Sequence, residues 1–184
     1  MASNTVNLGI GYSGMMYVSN AGTSLPSSPA DTLGASWSEV GAINADGITV
    51  GFAKDSEPIR DWTKAIRRLA SGDEGATIQG KLLETTKKVL ETIFGADNVT
   101  YTAATGANGN ITSVTVGPGV SASRKCFYFL MKDGDDMLGV GGEGILRDLG
   151  DVSFAPNSAI EWEFTLELST VTFTKDDGQI ASGS

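Results

Sequence analysis

Glu161, Glu163 and Glu167 are the side chains of this sequence best spaced for joint chemistry. Paired carboxylates cleave glycosidic bonds when burial keeps one protonated while the other stays ionised. The acids alternate with Ile160, Trp162, Phe164, Leu166 and Leu168, so Ile160–Ser169 reads as a strand with one apolar and one acidic face. A solvated acidic face supplies no cleft to separate two carboxyl pKa values. Gly75, Gly80 and Lys81 have the spacing of a phosphate-binding loop, but Leu82 stands where Ser or Thr must hold magnesium. The alternation of Ala76, Ile78, Gly80 and Leu82 also continues where a helix must begin. Gly9, Gly11 and Gly14, and again Gly139, Gly141 and Gly144, match a dinucleotide fingerprint without its strand-to-helix context. Asp133, Asp135 and Asp136 open like a calcium loop. Met137 and Leu138 then occupy a ligand position and the glycine position, so the expectation is an acidic turn.

The chain has no histidine, which removes Ser-His-Asp and Cys-His nucleophile systems and the commonest zinc ligand. Cys126 is the single cysteine, so no internal disulfide forms, and its apolar run Cys126–Met131 marks it as a small buried side chain. No catalytic residue, metal ligand or cofactor is assigned. The net charge of −9 is unevenly placed. Acids and bases cancel over residues 1–132, and residues 133–184 carry 11 acids against Arg147 and Lys175. Such a balance opposes tight gripping of nucleic acid, which needs Lys and Arg on phosphates. No apolar run approaches the roughly 20 residues of a membrane span. The first residues lack the basic and apolar stretches of a secretory signal, so synthesis in the cytoplasm is the expectation.

The elements that would position these residues are mostly short strands. With 184 residues, 24 of them glycine, the chain suits one β-rich domain, 1–184. Residues 1–20 read as an N-terminal arm with a short strand near Met15–Val18, and residues 21–36 as a loop. Asp46 and Gly47 read as a hairpin turn, followed by the alternating Ile48, Val50 and Phe52. Residues 53–61 read as a connector broken by Pro58. A strand Trp62–Ala70, a turn at Ser71–Glu74 and a returning strand Ala76–Glu84 follow. One helix is expected at Thr86–Phe94, capped by Thr85 and ended by Gly95, with Val89, Leu90, Ile93 and Phe94 as its packing stripe. Strands are expected at Val99–Ala103, Ile111–Val116, Lys125–Lys132 and Val171–Phe173, with a glycine-rich stretch at 134–150. The pattern predicts a mainly β chain, a β-sandwich of two sheets flanked by one α-helix.

An ordered set of features between residues 22 and 95 resembles the major tail proteins of long-tailed siphophages, especially those of actinobacterial hosts. The set comprises Gly22 and Thr23 with Leu25 and Pro26; Trp37, Glu39, Val40 and Gly41; Asp46, Gly47 and Ile48; Ser56, Glu57, Ile59 and Trp62; and Leu83, Glu84 and Thr85 leading into the helix that ends at Phe94 and Gly95. The resemblance implies the phage tail tube fold, with extended N- and C-terminal arms (1–20 and 174–184) and a long inter-strand loop region at 43–61. It implies a structural virion protein that forms stacked hexameric rings around a lumen. Asp46, Gly47, Glu57, Ile59 and Trp62 would then make inter-subunit contacts.

The partners implied are further copies of the chain, a tape measure protein, tail terminator and distal tail proteins, and phage DNA that passes without specific binding. No membrane is implied. An acidic wall repels DNA over about a Debye length, ~8–10 Å, which makes Glu161, Glu163 and Glu167 candidates for the lumen; a solvated outer face is the alternative. Two other functions fit the pattern: the tube of a contractile injection system or tailocin, and a virion-surface β-sandwich that binds a receptor or sugar.

Overall fold

A computed structural model of the chain describes residues 13–60, 66–106, 109–115, 123–133, 135–150, 152 and 159–176, with backbone alone for 53–60 and 66–74. The elements in chain order are β1 (Ser13–Asn20), β2 (Ser38–Arg60), β3 (Ile66–Leu82), α1 (Lys87–Phe94), β4 (Val99–Thr102), β5 (Ile111–Val114), β6 (Lys125–Asp133), β7 (Asp136–Leu149), β8 (Trp162–Leu168) and β9 (Thr172–Asp176). The mainly β class with one helix is as the sequence predicts. The architecture is different. The main strands follow the order β6-β1-β2-β3-β8-β7, and β6 also pairs with β7, so six strands close into a barrel. β9 continues alongside β7 beyond the end of β8, and β4 with β5 forms a separate two-stranded sheet. Closure leaves no free border between β6 and β7, so one closed sheet stands where two sheets are expected.

Alternation decides which side chains fill the barrel. Trp162, Phe164, Leu166 and Leu168 of β8 point inward, and Glu163 and Glu167 point out. Phe127 and Phe129 of β6, Met16 and Val18 of β1, and Ile78 of β3 meet them in one cluster. The rings of Phe129 and Phe164 stack with centroids 6.0 Å apart. Each such side chain contributes about 1.5–3 kcal/mol on burial. Helix α1 is capped by Thr86, whose hydroxyl accepts from the Val89 N–H, one residue later than the expected cap at Thr85. Thr85 instead accepts a hydrogen bond from Trp162 Nε1 at 3.0 Å. Val89, Leu90 and Ile93 are buried in the barrel core, and Phe94 meets Trp162 edge-on at 5.8 Å.

Several expectations are corrected. Asp46 and Gly47 do not end a strand. They lie in a bulge of β2 where the register steps from Ile43↔Leu82 to Ile48↔Gly80. Gly47 takes φ 74°, the left-handed backbone that such a bulge requires and that the Asp-Gly pair supplies. The connector 53–61 is strand as far as Arg60, and Ser71–Glu74 lies inside β3 rather than in a turn. Pro58 pairs with Leu69 in a stretch where β2 has no other neighbour among the described residues, so its missing N–H breaks no second ladder. The third strand begins at Ile66, and Trp62 lies outside the described residues. Residues 13–20 of the expected N-terminal arm are a barrel strand, and residues 174–176 of the expected C-terminal arm belong to β9. Most of the expected glycine-rich stretch is strand β7 (Asp136–Leu149), whose Asp136 pairs with Asp133 of β6.

Candidate functional site

β2 and β3 extend well past the barrel. β3 pairs with β8 only over Ala76–Leu82, and β2 pairs with β1 only as far as Ala42. Their mutual ladder runs on through Lys54↔Glu74 and Ile59↔Arg68 to Arg60↔Ile66. Along this arm, among the described residues, the outer edge of each strand has no partner. Its N–H and C=O groups form an open template for another strand. Glu57 pairs with Ala70 and Ile59 with Arg68 in the arm backbone. Asp46 and Gly47 sit at its root.

At the root the structure joins residues that look separate in the sequence. Asn44 Nδ2 donates to Asp46 Oδ2 at 3.3 Å and to Glu161 Oε1 at 2.9 Å, and the Asp46 N–H donates to Asn44 Oδ1. Lys81 Nζ lies 3.4 Å from the other oxygen of Glu161. Glu161 thus fastens the bulge to the start of β8 and is only partly free to act as surface charge. Glu163 and Glu167 are exposed on the outer face of the barrel, with Arg147 3.5 Å from Glu167. Exposed pairs of this type contribute about 0–1 kcal/mol each, so they shape the surface charge more than the stability.

The arm leaves from the end of the barrel where Ser13 pairs with Lys132, Asp133 with Asp136, and Met137 with Asp176. Here apolar side chains stay bare. Phe52 is 69% exposed and Phe173 49%, with ring centroids 6.1 Å apart, and Leu138 is 37% exposed. Met131, Met137 and Leu138 line a cleft of about 180 Å³ beside them.

The loop 21–37 straps the outside of the barrel. The Gly22 N–H donates to Glu143 Oε2 at 2.9 Å, and Arg124 Nε lies 2.8 Å from Glu143 Oε1. Cys126, 3% exposed, donates its thiol to the Thr23 carbonyl at 3.2 Å. Burial first and Glu143 second push that thiol above its ordinary range. The protonated thiol's contribution to stability is therefore fully present below the unfolded thiol pKa and is lost as pH rises through the folded one. Maleimide should label the folded chain at least ~100-fold more slowly than the urea-unfolded chain at pH 8, because labelling waits for opening; equal rates would contradict the buried site. The sequence gives no local sign of Glu143 as the anchor of this strap, since its partners lie far along the chain.

Among the described residues, no group of three His, Cys, Asp or Glu side chains could hold a metal ion. None of their helices is long and apolar enough to cross a membrane. The geometry is that of a scaffold with edges and faces to share. The family model for the phage tail tube protein matches residues 1–172. The chain belongs to the phage tail tube protein family. No curated relative matches it. Membership gives this tail tube protein a structural role as a component of the virion tail, and the arm, the bare barrel end and the acidic outer face acquire a common context.

Proposed function

We propose that this tail tube protein assembles into hexameric rings that stack into the hollow tube of a long, non-contractile tail and conduct phage DNA to the host. The observation that carries the reading is the β2–β3 arm, whose two outer edges lack partners among the described residues along most of its length. A barrel that closes its own sheet yet keeps so long an open ribbon is an aggregation hazard unless the ribbon has a dedicated acceptor. Ring closure and stacking provide one: contacts between unlike surfaces close around a ring and continue along an axis. Asp46, Gly47, Glu57, Ile59 and Trp62 belong to that contact. Open-ended stacking needs an outside ruler and ends, which are the roles of a tape measure protein, a tail terminator and distal tail proteins.

The lumen must not hold DNA, because a few phosphate contacts per ring would add up along the tube. Glu163 and Glu167, with Glu161 at the same strand's start, are proposed to face it. Purified protein should form rings or tubes with a central hole in negative-stain electron microscopy; a chain that stays monomeric at high concentration overturns the reading. In assembled tubes, Glu163→Lys with Glu167→Lys should make duplex DNA co-sediment at low salt and release as salt rises, while unmodified tubes leave it in solution. Charge-reversed tubes that ignore DNA place this face away from the lumen.

A further inference from the structure

Residues 44–47 of β2 loop out opposite Lys81, between the pairs Ile43↔Leu82 and Ile48↔Gly80. This bulge holds an Asp-Gly pair at the root of the arm. Asp46 is exposed, and Gly47 takes φ 74° with no atom within 4 Å of the place a β-carbon would occupy. Covalent geometry alone keeps Asp46 Cγ near the Gly47 nitrogen, and no side chain on residue 47 obstructs their approach. Of the three Asp-Gly pairs in the sequence, at 46, 133 and 177, this is the one with both residues described.

The same bulge contains a restraint. The hydrogen bonds of Asp46 run back to Asn44: Asn44 Nδ2 donates to Asp46 Oδ2 at 3.3 Å, and Asn44 Oδ1 accepts the Asp46 N–H. Asn44 is held in turn by Glu161 Oε1 at 2.9 Å, and Glu161 by Lys81 at 3.4 Å. The carboxyl must leave Asn44 before it meets the nitrogen of the residue that follows.

We propose that Asp46 is a site of spontaneous isoaspartate formation and that the Asn44–Glu161–Lys81 tether guards it. The Gly47 nitrogen bonds to Asp46 Cγ. The Cγ–O bond breaks, and the hydroxyl leaves with the Gly47 amide proton as water, which closes a succinimide. A solvent water then opens the ring at either carbonyl. Opening at Cγ restores aspartate; opening at the main-chain carbonyl leaves Gly47 joined through Cγ. One water leaves and one returns, so no oxidant or other reactant is consumed.

The product runs its main chain through the β-carbon, which lengthens the path through the bulge by about 1.5 Å. Four residues already face Lys81 there, so the ladders on either side need not slip. The carboxylate and its tie to Asn44 are displaced, and the arm leaves its root on a changed course. That consequence for assembly rests on the tube reading above; the covalent change does not.

The full chain is aged in neutral buffer at physiological temperature and sampled over weeks. Endoproteinase Asp-N cuts before aspartate and not before isoaspartate, so an uncut Ala45–Asp46 bond reads this site alone. Fragmentation mass spectrometry identifies the uncut peptide, whose mass is unchanged, and any succinimide, lighter by one water. The uncut fraction should grow at least ~3-fold faster in Asn44→Ala than in the parent, because a tethered group samples the attack geometry less often. Glu161→Ala, which loosens Asn44 without altering the bulge, should also exceed the parent. Slow maleimide labelling of Cys126 verifies that each variant stays folded. A bond that remains fully cleavable in the aged parent and both variants overturns the site. Equal rates in the parent and the folded variants overturn the tether as its guard. Aged chain should also pellet less as tubes than fresh chain, and equal pelleting would overturn the change in the arm's course. Fresh chain that forms no tubes would remove the tube reading and leave the cleavage result standing.

Discussion

Replacing Lys54–Glu74 by Asn-Gly should yield a folded barrel that no longer makes tubes. Ala53 and Gly75 face one another across the β2–β3 ladder, so a two-residue hairpin joins them without moving either strand. Beyond Ala53 and Gly75 the two strands pair only with each other among the described residues, so the excision removes no ladder of the barrel. Melting temperature should therefore change by only a few degrees. Assembly should change far more. A strand added to an exposed edge contributes backbone hydrogen bonds at about 1 kcal/mol each. Losing three of them weakens each contact by roughly 100-fold, and a tube multiplies that loss over every ring. Sedimentation and negative-stain microscopy on the excised and intact chains read the effect. Tubes of normal abundance without the arm would remove it from the assembly mechanism, and an unfolded product would show that the arm is part of the fold.

How this arm reads in the sequence shows what local pattern conveys and what it leaves out. β8 is legible because its period of two continues without interruption from Trp162 to Leu168. Helix α1 is legible because a stripe, a cap and a terminating glycine agree within one short window. The long β2 is illegible for a specific reason. Asp46-Gly47 supplies the same left-handed backbone to a bulge as to a hairpin turn, and Pro58 signals a break in any strand except an edge. The signals are local, while the choice between turn and bulge depends on what β3 does some 30 residues later. Barrel closure is illegible on the same ground. Alternation states that β6 and β7 each have a buried face, but not that they pair with strands from both ends of the chain. For the candidate site, the acids of β8 are visible as a face. The tie from Glu161 through Asn44 to the bulge, and the bare Phe52 and Phe173, arise only from long-range placement.

The glycines of β7 provide the sharpest example and the largest expected loss of stability. In the sequence they resemble a loop or a cofactor fingerprint, because glycine is poor in strands. In the fold they lie where two backbones come closer than a side chain permits. A β-carbon on Gly142 would collide with the Thr170 carbonyl oxygen, and one on Gly144 with the Glu167 carbonyl oxygen. Both obstacles are main chain, so no rotamer change relieves them; β8 and the link into β9 would have to lift from β7. That movement opens the barrel beside Leu166 and Leu168, which are nearly inaccessible to solvent. Gly142→Ala and Gly144→Ala should each cost about 3–5 kcal/mol, the range of severe core disruption. For a chain of this size that lowers the melting temperature by roughly 10 °C. Gly34→Ala is the control, since no atom lies within 4 Å of its β-carbon position, and it should fall within about 0.5 kcal/mol of the parent. Urea unfolding of the three variants at low protein concentration separates these effects from assembly. If Gly142→Ala unfolds at the same midpoint as Gly34→Ala, the contact between β7 and the β8–β9 link is looser than described, and glycine at 142 owes its place to something other than closure of the barrel.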